Sequence, residues 1–221
     1  MVELVIFDMD GVLVDSELIS CETGAQCLHE IGFEIDAREV CERYLGVSVA
    51  TMIKDVEAAL GRPVPEGFRE RIRERTLAAY EGRLCAVEGI GRAVGIALGK
   101  CCVASSSHPE RIRASLELCG LYDRLAPHLF SSTMVEHGKP APDLFLFAAE
   151  RMRARPDRCL VIEDSVAGVT AGVAAGMTVV GLTAGSHVEH ERHAPLLTAA
   201  GAHHIARDAD ELVRIMEGMK L

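Results

Sequence analysis

Short apolar runs alternate with longer amphipathic stretches along most of the chain. The apolar runs predict buried strands at residues 3–7, 101–104, 128–131, 159–162 and 178–182. Apolar residues at helical spacing lie between most of these runs. Because parallel strands are joined by long crossover connections that are usually helical, the alternation predicts an α/β fold with a parallel sheet.

The alternation is interrupted between residues 15 and 85, where no convincing strand occurs. Apolar residues recur there at helical spacing from 18 to 31, and a second periodic stretch covers 68 to 80. We therefore predict a core of residues 1–14 and 86–221, a Rossmann-like parallel sheet with helices on both faces. Residues 15–85 are predicted to form an inserted all-helical domain.

Length and composition narrow the class of protein. A chain of 221 residues that is 49% hydrophobic suffices for one sizeable domain with a smaller insert. No apolar run approaches the roughly 20 residues of a membrane helix, and the N-terminus lacks the basic region and cleavage site of a secretory signal. We expect a cytoplasmic protein that binds no membrane, as a monomer or a weak homo-oligomer.

Charge and cysteine content exclude further classes. The chain carries 23 basic and 33 acidic residues, a formal net charge of −10, which argues against binding to nucleic acid because a polyphosphate would be repelled. A small anion could still bind at a local site. The eight cysteines form no CxxC pair and mostly lie in apolar segments, so we expect them to be reduced core residues.

The stretch VIFDMDGVLVDSE, residues 5–17, places aspartates where the first predicted strand ends. In an extended segment Asp8 and Asp10 share one face, and ligands of parallel sheets bind beyond the carboxyl ends of the strands. Two carboxylates this close repel unless a cation lies between them or one keeps a proton. The pair therefore suits Mg²⁺, or a nucleophile beside a proton donor. A turn cap before Gly11 is the structural alternative.

Two further stretches place a hydroxyl and an amine at strand ends. In CCVASSSHPE, a strand ends in serines before a helix, with Ser107 and Glu110 spaced as a capping box. Ser105 and the neighbouring amides, that of Ser106 among them, would face an anion at this helix N-terminus. In EHGKPAPD, a stiff loop surrounds Lys139, whose ammonium can reach inward.

A second acidic pair, Glu163 and Asp164, ends the strand in LVIEDSVAG. Taken together, the stretches place two acidic clusters, a serine and a lysine at the carboxyl ends of strands. This set suits a metal ion and a phosphate.

The order of DxDG, a strand-ending serine, GKPAPD and EDS around a helical insert resembles the haloacid dehalogenase superfamily over essentially the whole chain. The most similar subgroup comprises helical-capped sugar-phosphate phosphatases and β-phosphoglucomutases. The resemblance implies that Asp8 is the nucleophile and Asp10 the general acid and base. It further implies phosphate binding by Ser105 and Lys139.

The resemblance also implies an Mg²⁺ site formed by Asp8, the Asp10 carbonyl, Asp164 and Glu163. Because dehalogenases of the superfamily lack the second aspartate, the implied activity is hydrolysis of a small phosphorylated sugar, polyol or sugar acid by a phosphoric monoester hydrolase. Alternatives are a β-phosphoglucomutase-type isomerase, a phosphonoacetaldehyde hydrolase and a non-catalytic binding protein.

The inserted domain, the cap of the resembled enzymes, should select the substrate. The resembled mutases have a histidine and an arginine where this chain has Ser20 and, after the GVS segment at 46–48, Val49. The resembled phosphonoacetaldehyde hydrolases need a cap lysine, and Lys54 is interpreted as a surface residue. These differences favour the phosphatase.

Other polar clusters are interpreted as structural. HVEHERH, with His187, His190 and His193, is interpreted as a solvated helix or loop, and the alternating charges of FRERIRERT (68–76) as an exposed helix face. Glycines spaced four apart at 168, 172 and 176 are expected to let a helix approach the sheet closely.

Overall fold

The structure is a computed structural model that describes residues 1–44, 47 and 49–219. The strands are β1 (Leu4–Phe7), β2 (Cys101–Ser105), β3 (Leu129–Ser131), β4 (Cys159–Glu163), β5 (Thr178–Leu182) and β6 (His204–Ala206). The helices are α1 (Glu17–Glu30), α2 (Ala37–Tyr44), α3 (Val49–Leu60), α4 (Phe68–Tyr80), α5 (Ile90–Ile96), α6 (Pro109–Leu118), α7 (Tyr122–Leu125), α8 (Asp143–Arg151), α9 (Val166–Ala174), α10 (His190–Ala199) and α11 (Ala209–Gly218).

The strands form one parallel sheet in the order β3-β2-β1-β4-β5-β6. This confirms the predicted α/β class and each predicted strand, but the sequence did not reveal β6. With β1 between β2 and β4, the strand order reverses at the centre of the sheet. Such a reversal opens a crevice at the carboxyl ends of the strands.

Hydrophobic cores cover both faces of the sheet. Val5 and Phe7 of β1 point into one core, with α5, α6 and α11 packed against it. Leu4 and Ile6 point into the other core, which contains side chains of α8, α9 and α10. This division follows from the alternation of side chains along a strand. Because β1 is a central strand that is buried on both faces, the segment after Phe7 lies at the bottom of the crevice.

Helices α1 to α4 share a third apolar cluster, which includes Leu28, Val56 and Phe68. The chain enters and leaves this group of helices through two adjacent segments. The Asp15 N–H donates to the Cys85 carbonyl at 2.9 Å, and the Val87 N–H donates to the Leu13 carbonyl at 3.1 Å. The two crossings therefore lie side by side, close to the predicted domain boundaries.

The expectation that all cysteines are reduced is wrong for Cys21 and Cys41. These two residues form a disulfide between α1 and α2, with Cα atoms 5.5 Å apart. They are 20 residues apart in the sequence, and only the pairing of the two helices brings them together.

Among the described helices, none combines the length and the apolar character that a membrane span requires.

Candidate active site

A cavity of about 520 Å³ lies at the carboxyl ends of the central strands and extends between α1, α3 and α4. Its wall contains nearly all the residues that the sequence motifs single out: Asp8, Asp10, Ser106, Lys139, Glu163 and Asp164. The motifs lie up to 156 residues apart in the chain, and the parallel sheet places them at one edge. Ser105 is the exception, since it is fully buried behind the wall.

Lys139 joins the two acidic clusters. Its Nζ donates hydrogen bonds to Oδ1 of Asp8 and to Oε1 of Glu163, both at 2.5 Å. The lysine side chain is only 3% exposed and lies over the ring of Phe145, 4.9 Å from its centroid. The ammonium is therefore fixed beside the Asp8 carboxylate and shielded from bulk water.

Burial shifts the pKa values of Asp8 and Lys139 in opposite directions, and the charges of neighbouring groups decide the net shift of each. Burial raises the pKa of Asp8 well above its ordinary value, Lys139 opposes this, and Glu163 and Asp164 raise the pKa further. Burial disfavours the charge on Lys139, but Asp8 and Glu163 outweigh it and raise the lysine pKa. Lys139 thus stays cationic in a site that is rich in carboxylates.

Glu163 is held from both sides. Lys139 occupies Oε1, while the N–H and the hydroxyl of Ser165 both donate to Oε2 at 2.9 Å. A Cβ on Gly168 would lie 1.7 Å from Glu163 Oε1, so this glycine leaves the space that the carboxylate fills. Gly172, as expected, allows close approach, since its Cβ would meet Val179 of the sheet at 2.8 Å.

The third glycine of that series differs. Gly176 follows the end of α9 with φ +72°, and an added Cβ would meet nothing within 4 Å. It permits a left-handed turn and makes no close helix contact, so the expectation for this position was wrong.

The acidic cluster fits a divalent cation. Asp8, Glu163 and Asp164 bring buried carboxylate oxygens within 4.8 Å of one another. Among the described residues, Oδ2 of Asp164 is buried without a hydrogen-bond partner. Carboxylates buried this close together repel one another, and a hard divalent cation, which takes oxygen ligands, would relieve that repulsion. Burial also raises the pKa of Asp164, a shift that a bound cation would reverse.

Asp10 is held by three donors. Ser16 and Arg111 donate to Oδ1 at 2.6 and 2.7 Å, and the Ser107 hydroxyl donates to Oδ2 at 2.7 Å. The capping-box interpretation of Ser107 is therefore wrong. Helix α6 starts at Pro109 after His108 and has no side-chain cap, because the serine hydroxyl is bonded to Asp10 instead.

Arg111 links the core to the inserted helices. From α6, its Nη2 also donates to Ser20 on α1 at 3.2 Å, and its guanidinium carbon lies 5.5 Å from the centroid of the Tyr80 ring. Tyr80, at the end of α4, is fully buried and lies 3.1 Å from the Ser20 hydroxyl. The position of Asp10 is thus tied to helices on both sides of the cavity.

The serine cluster shows a division of roles. The Ser105 hydroxyl accepts the N–H of Ser107 at 3.0 Å and so shapes the turn after β2. Ser106 and Ser107 reach the cavity wall directly. Phosphate binding by Ser105 and Ser106 stays a prediction.

Glu17, at the first position of α1, is a cavity residue that the sequence analysis did not single out. Burial raises its pKa to about 8, and the charges of Asp10 and Asp164 contribute to the rise. It borders the cavity with Ser20. The sequence signal that could have identified Glu17 is its position directly after the DGVLVDS segment.

The interpretation of HVEHERH as solvated is wrong. The His187 side chain is fully buried, with Nε2 3.0 Å from Oδ2 of Asp164. His193 Nε2 lies 2.5 Å from the carbonyl oxygen of Asp164, and His190 Nδ1 lies 2.6 Å from the hydroxyl of Thr183. Burial lowers the pKa of both His187 and His193. The interleaved charged residues concealed the inward-facing side of the segment.

The inserted helices supply the remaining cavity wall. Val49 reaches the cavity, as do Arg69 and Arg73 of α4, although Arg69 is exposed as predicted. Arg73 pairs with Glu110 at 2.9 Å. Lys54 does not line the cavity in the part of the chain that the structure describes. Gly46 and Ser48 of the GVS segment lie outside the described residues.

Residues 2–176 match the family model of the haloacid dehalogenase-like hydrolases. The chain belongs to this family. It is 30% identical to the 6-phosphogluconate phosphatase of Escherichia coli K12 over 187 residues, 84% of this chain and 85% of that one. It is 28% identical to hexitol phosphatase B of the same strain over 181 residues, 78% and 79% of the two chains.

Solved structures agree with these sequence relatives. A haloacid dehalogenase-like protein from Agrobacterium tumefaciens superposes with a TM-score of 0.84 at 32% identity, covering 100% of both chains. These matches confirm the resemblance drawn from the motifs. The chain is an enzyme of the phosphoric monoester hydrolase class, as predicted.

Proposed function

We propose that this enzyme is a Mg²⁺-dependent phosphatase that hydrolyses a small phosphorylated sugar, polyol or sugar acid through an aspartyl phosphate on Asp8. The observation that carries the proposal is the contact of Lys139 with Asp8 at 2.5 Å inside a buried cavity. This contact places a fixed positive charge beside a carboxylate at the end of the central strand. The cytoplasmic location belongs to the same proposal.

The chemistry needs little from the nucleophile beyond position. A carboxylate that attacks phosphorus needs no general base, and phosphoryl transfer depends mainly on alignment and on neutralised charge. Lys139 provides part of that charge. Asp8, the Asp10 carbonyl and Asp164 would hold Mg²⁺, which supplies further charge neutralisation when bound.

In this proposal the main role of Glu163 is to orient Lys139. Both of its oxygens already accept hydrogen bonds, from Lys139 and from Ser165. A direct bond to the metal would require one of these donors to leave. We therefore propose that Glu163 orients the lysine first and serves as a metal ligand only secondarily.

Asp10 is proposed to donate a proton to the leaving oxygen and then to accept one from water. Splitting hydrolysis into two steps requires one group that performs both transfers. Asp10 lies two residues after Asp8 on the same cavity wall, and its carboxylate is oriented by Ser16, Ser107 and Arg111.

The substrate class is proposed from the cavity and the relatives. A volume of about 520 Å³ is within the range of small-molecule sites. The relatives act on 6-phosphogluconate and on hexitol phosphates, according to their names. Arg69 and Arg73 on the cavity wall would suit a substrate that carries a carboxylate besides its phosphate.

The isomerase alternative has less support. A mutase must keep its phosphorylated intermediate from water until a sugar binds, which requires specific polar contacts from the cap. Ser20 instead bonds within the protein, to the Ser16 carbonyl and to Tyr80, and Val49 provides no polar side-chain atom. Asp10 is therefore expected to activate water readily.

A paired assay tests the proposal. Release of inorganic phosphate from a panel of sugar, polyol and sugar-acid phosphates is measured beside formation of glucose 6-phosphate from β-glucose 1-phosphate, with a trace of bisphosphate primer. We expect phosphate release that stops on chelation and returns with Mg²⁺. Faster accumulation of the isomer than of phosphate would favour the mutase, and full activity without metal would exclude the metal site.

A further inference from the structure

The loop after β5 carries His187 against the acidic cluster. Thr183 to Glu189 connect β5 to α10, and within this loop the His187 side chain is fully buried while Ser186 next to it is exposed. A buried imidazole cannot form hydrogen bonds with water, so its ring nitrogens need partners within the protein.

Two glycines form the slot that holds the ring. A Cβ on Gly185 would lie 2.5 Å from His187 Cε1 and 2.6 Å from its Nδ1. A Cβ on Gly11 would lie 2.9 Å from the same Cε1 and 2.0 Å from Oδ2 of Asp164. Any other residue at either position would displace the ring, and at Gly11 the carboxylate as well. The slot is therefore shaped for the imidazole and the carboxylate together.

The loop is anchored beside this slot. The N–H and the hydroxyl of Ser186 both donate to Oδ1 of Asp15, at 3.0 and 2.9 Å. Asp15 belongs to the segment that follows Gly11 and leads into the inserted helices. The residue before His187 is thus tied to the segment that follows Asp8 and Asp10.

The polar atoms in the slot face one another without completed hydrogen bonds. His187 Nε2 lies 3.0 Å from Oδ2 of Asp164, yet within the described residues these two atoms and His187 Nδ1 are buried without a hydrogen-bond partner. Small rotations of the ring or the carboxylate would align the donor. On the other side, His193 holds the Asp164 backbone through its carbonyl oxygen.

We propose that His187 is a positioning residue for the metal site, an inference that rests on the proposed role of Asp164 as a metal ligand. The imidazole Nε2–H donates to Oδ2 of Asp164 and so presents the other carboxylate oxygen to the cation. Partners of this kind fix the orientation of a ligand and raise the affinity for the metal. His187 contacts neither the nucleophile nor the substrate phosphate in this role.

Metal binding without substrate tests the inference. Mn²⁺, used as the probe, is titrated calorimetrically into the metal-stripped enzyme. His187→Asn cannot reach Oδ2, and we expect its Mn²⁺ affinity to fall about 10- to 100-fold. His187→Gln places an amide nitrogen near the position of Nε2 and should bind close to the wild-type value. Glu189→Gln, at the end of the same loop and with a side chain that is 74% exposed, is the matched control and should bind as the wild type does.

Asp164→Asn separates the two levels of the argument. If Asp164→Asn and His187→Asn both keep wild-type Mn²⁺ affinity, the proposed metal site is wrong. If Asp164→Asn loses affinity while folded His187→Asn keeps it, only the role of His187 is wrong. Equal losses in the Asn and Gln variants would also contradict it, because a donor at the Nε2 position should restore binding.

A measurement on the wild-type enzyme covers the case in which the variants do not fold. Addition of Mg²⁺ should shift the imidazole ¹⁵N resonances of His187, because its hydrogen bond to Asp164 is completed, while those of the exposed His29 stay unchanged. Unchanged His187 resonances at saturating Mg²⁺ would contradict the proposal.

Discussion

Arg111 donates a hydrogen bond from Nη2 to Oδ1 of Asp10 over 2.7 Å, and the two side chains are 19% and 13% exposed. The pair connects helix α6 to the turn after β1. Because the same guanidinium contacts Ser20 and packs over Tyr80, it places the proposed acid and base relative to both the sheet and the inserted helices.

Arg111→Ala should therefore impair catalysis more than folding. A hydrogen bond to a charged group contributes about 1.5–3 kcal/mol, so we expect kcat/KM to fall roughly 10- to 100-fold. Arg111→Lys should recover part of the loss. Arg113→Ala is the matched control, since Arg113 lies on the same helix, is largely exposed and pairs with Glu117. Steady-state kinetics with the best substrate of the panel measure the effect, and equal kcat/KM in both alanine variants would refute it.

Gly168→Ala should destabilise the protein and disturb Lys139. The new Cβ would overlap Glu163, and forced overpacking costs about 1–3 kcal/mol. Urea unfolding measures the change in the free energy of unfolding. Gly218→Ala, at the end of α11 with nothing within 4 Å of the added Cβ, is the control and should leave stability nearly unchanged. Similar stabilities of the two variants would show that the Gly168 contact is relieved at little cost.

Glu17 should make stability depend on pH in the metal-free enzyme. Its ordinary pKa is 4.5, and burial raises the value in the folded protein to about 8. Between these values the folded protein keeps a proton that the unfolded chain has released, so the free energy of unfolding falls as pH rises through this range. Below pH 4.5 and above about pH 8, Glu17 adds no further slope.

The Glu17→Gln variant isolates this contribution. Urea midpoints of variant and wild type are compared at pH 5 and pH 8 in the presence of a chelator. We expect the wild type to lose more stability than the variant between the two pH values. The same loss in both proteins would show that Glu17 is not protonated in the folded state.

The sequence predicted the elements whose signals are local. The continuous apolar runs of β1, β2, β4 and β5 and the motif residues that follow them lie where expected, because a parallel sheet buries its strands and aligns their ends. By contrast, β6 has only three residues, includes an exposed histidine and lies at the sheet edge. The equally short edge strand β3 contains two consecutive large apolar residues, Leu129 and Phe130, whereas β6 contains only Ile205 and so is not distinguished from a loop.

The missed site residues depend on tertiary packing. Arg111 resembles any helix arginine until α6 is placed beside Asp10. His187 is surrounded by charged neighbours, and its burial depends on Gly11, which is 176 positions away in the chain. Ser107 had a valid local partner at the start of α6, but the hydrogen bond to Asp10 replaced it. These contacts join residues that are far apart in the chain, so the local sequence pattern does not predict them.

The central claim is that Asp8 carries the phosphoryl group during turnover. In Asp10→Asn, an aryl phosphate should still phosphorylate Asp8, because its leaving group departs without a proton, whereas breakdown should be slow without a base. The Asp8→Asn variant, which removes the nucleophile, is the control. The decisive measurement is peptide mass spectrometry of both variants after acid quench. We predict a phosphorylated peptide containing Asp8 in Asp10→Asn and none in Asp8→Asn. Absence of that peptide in Asp10→Asn, together with phosphate release by Asp8→Asn near the wild-type rate, would contradict the account.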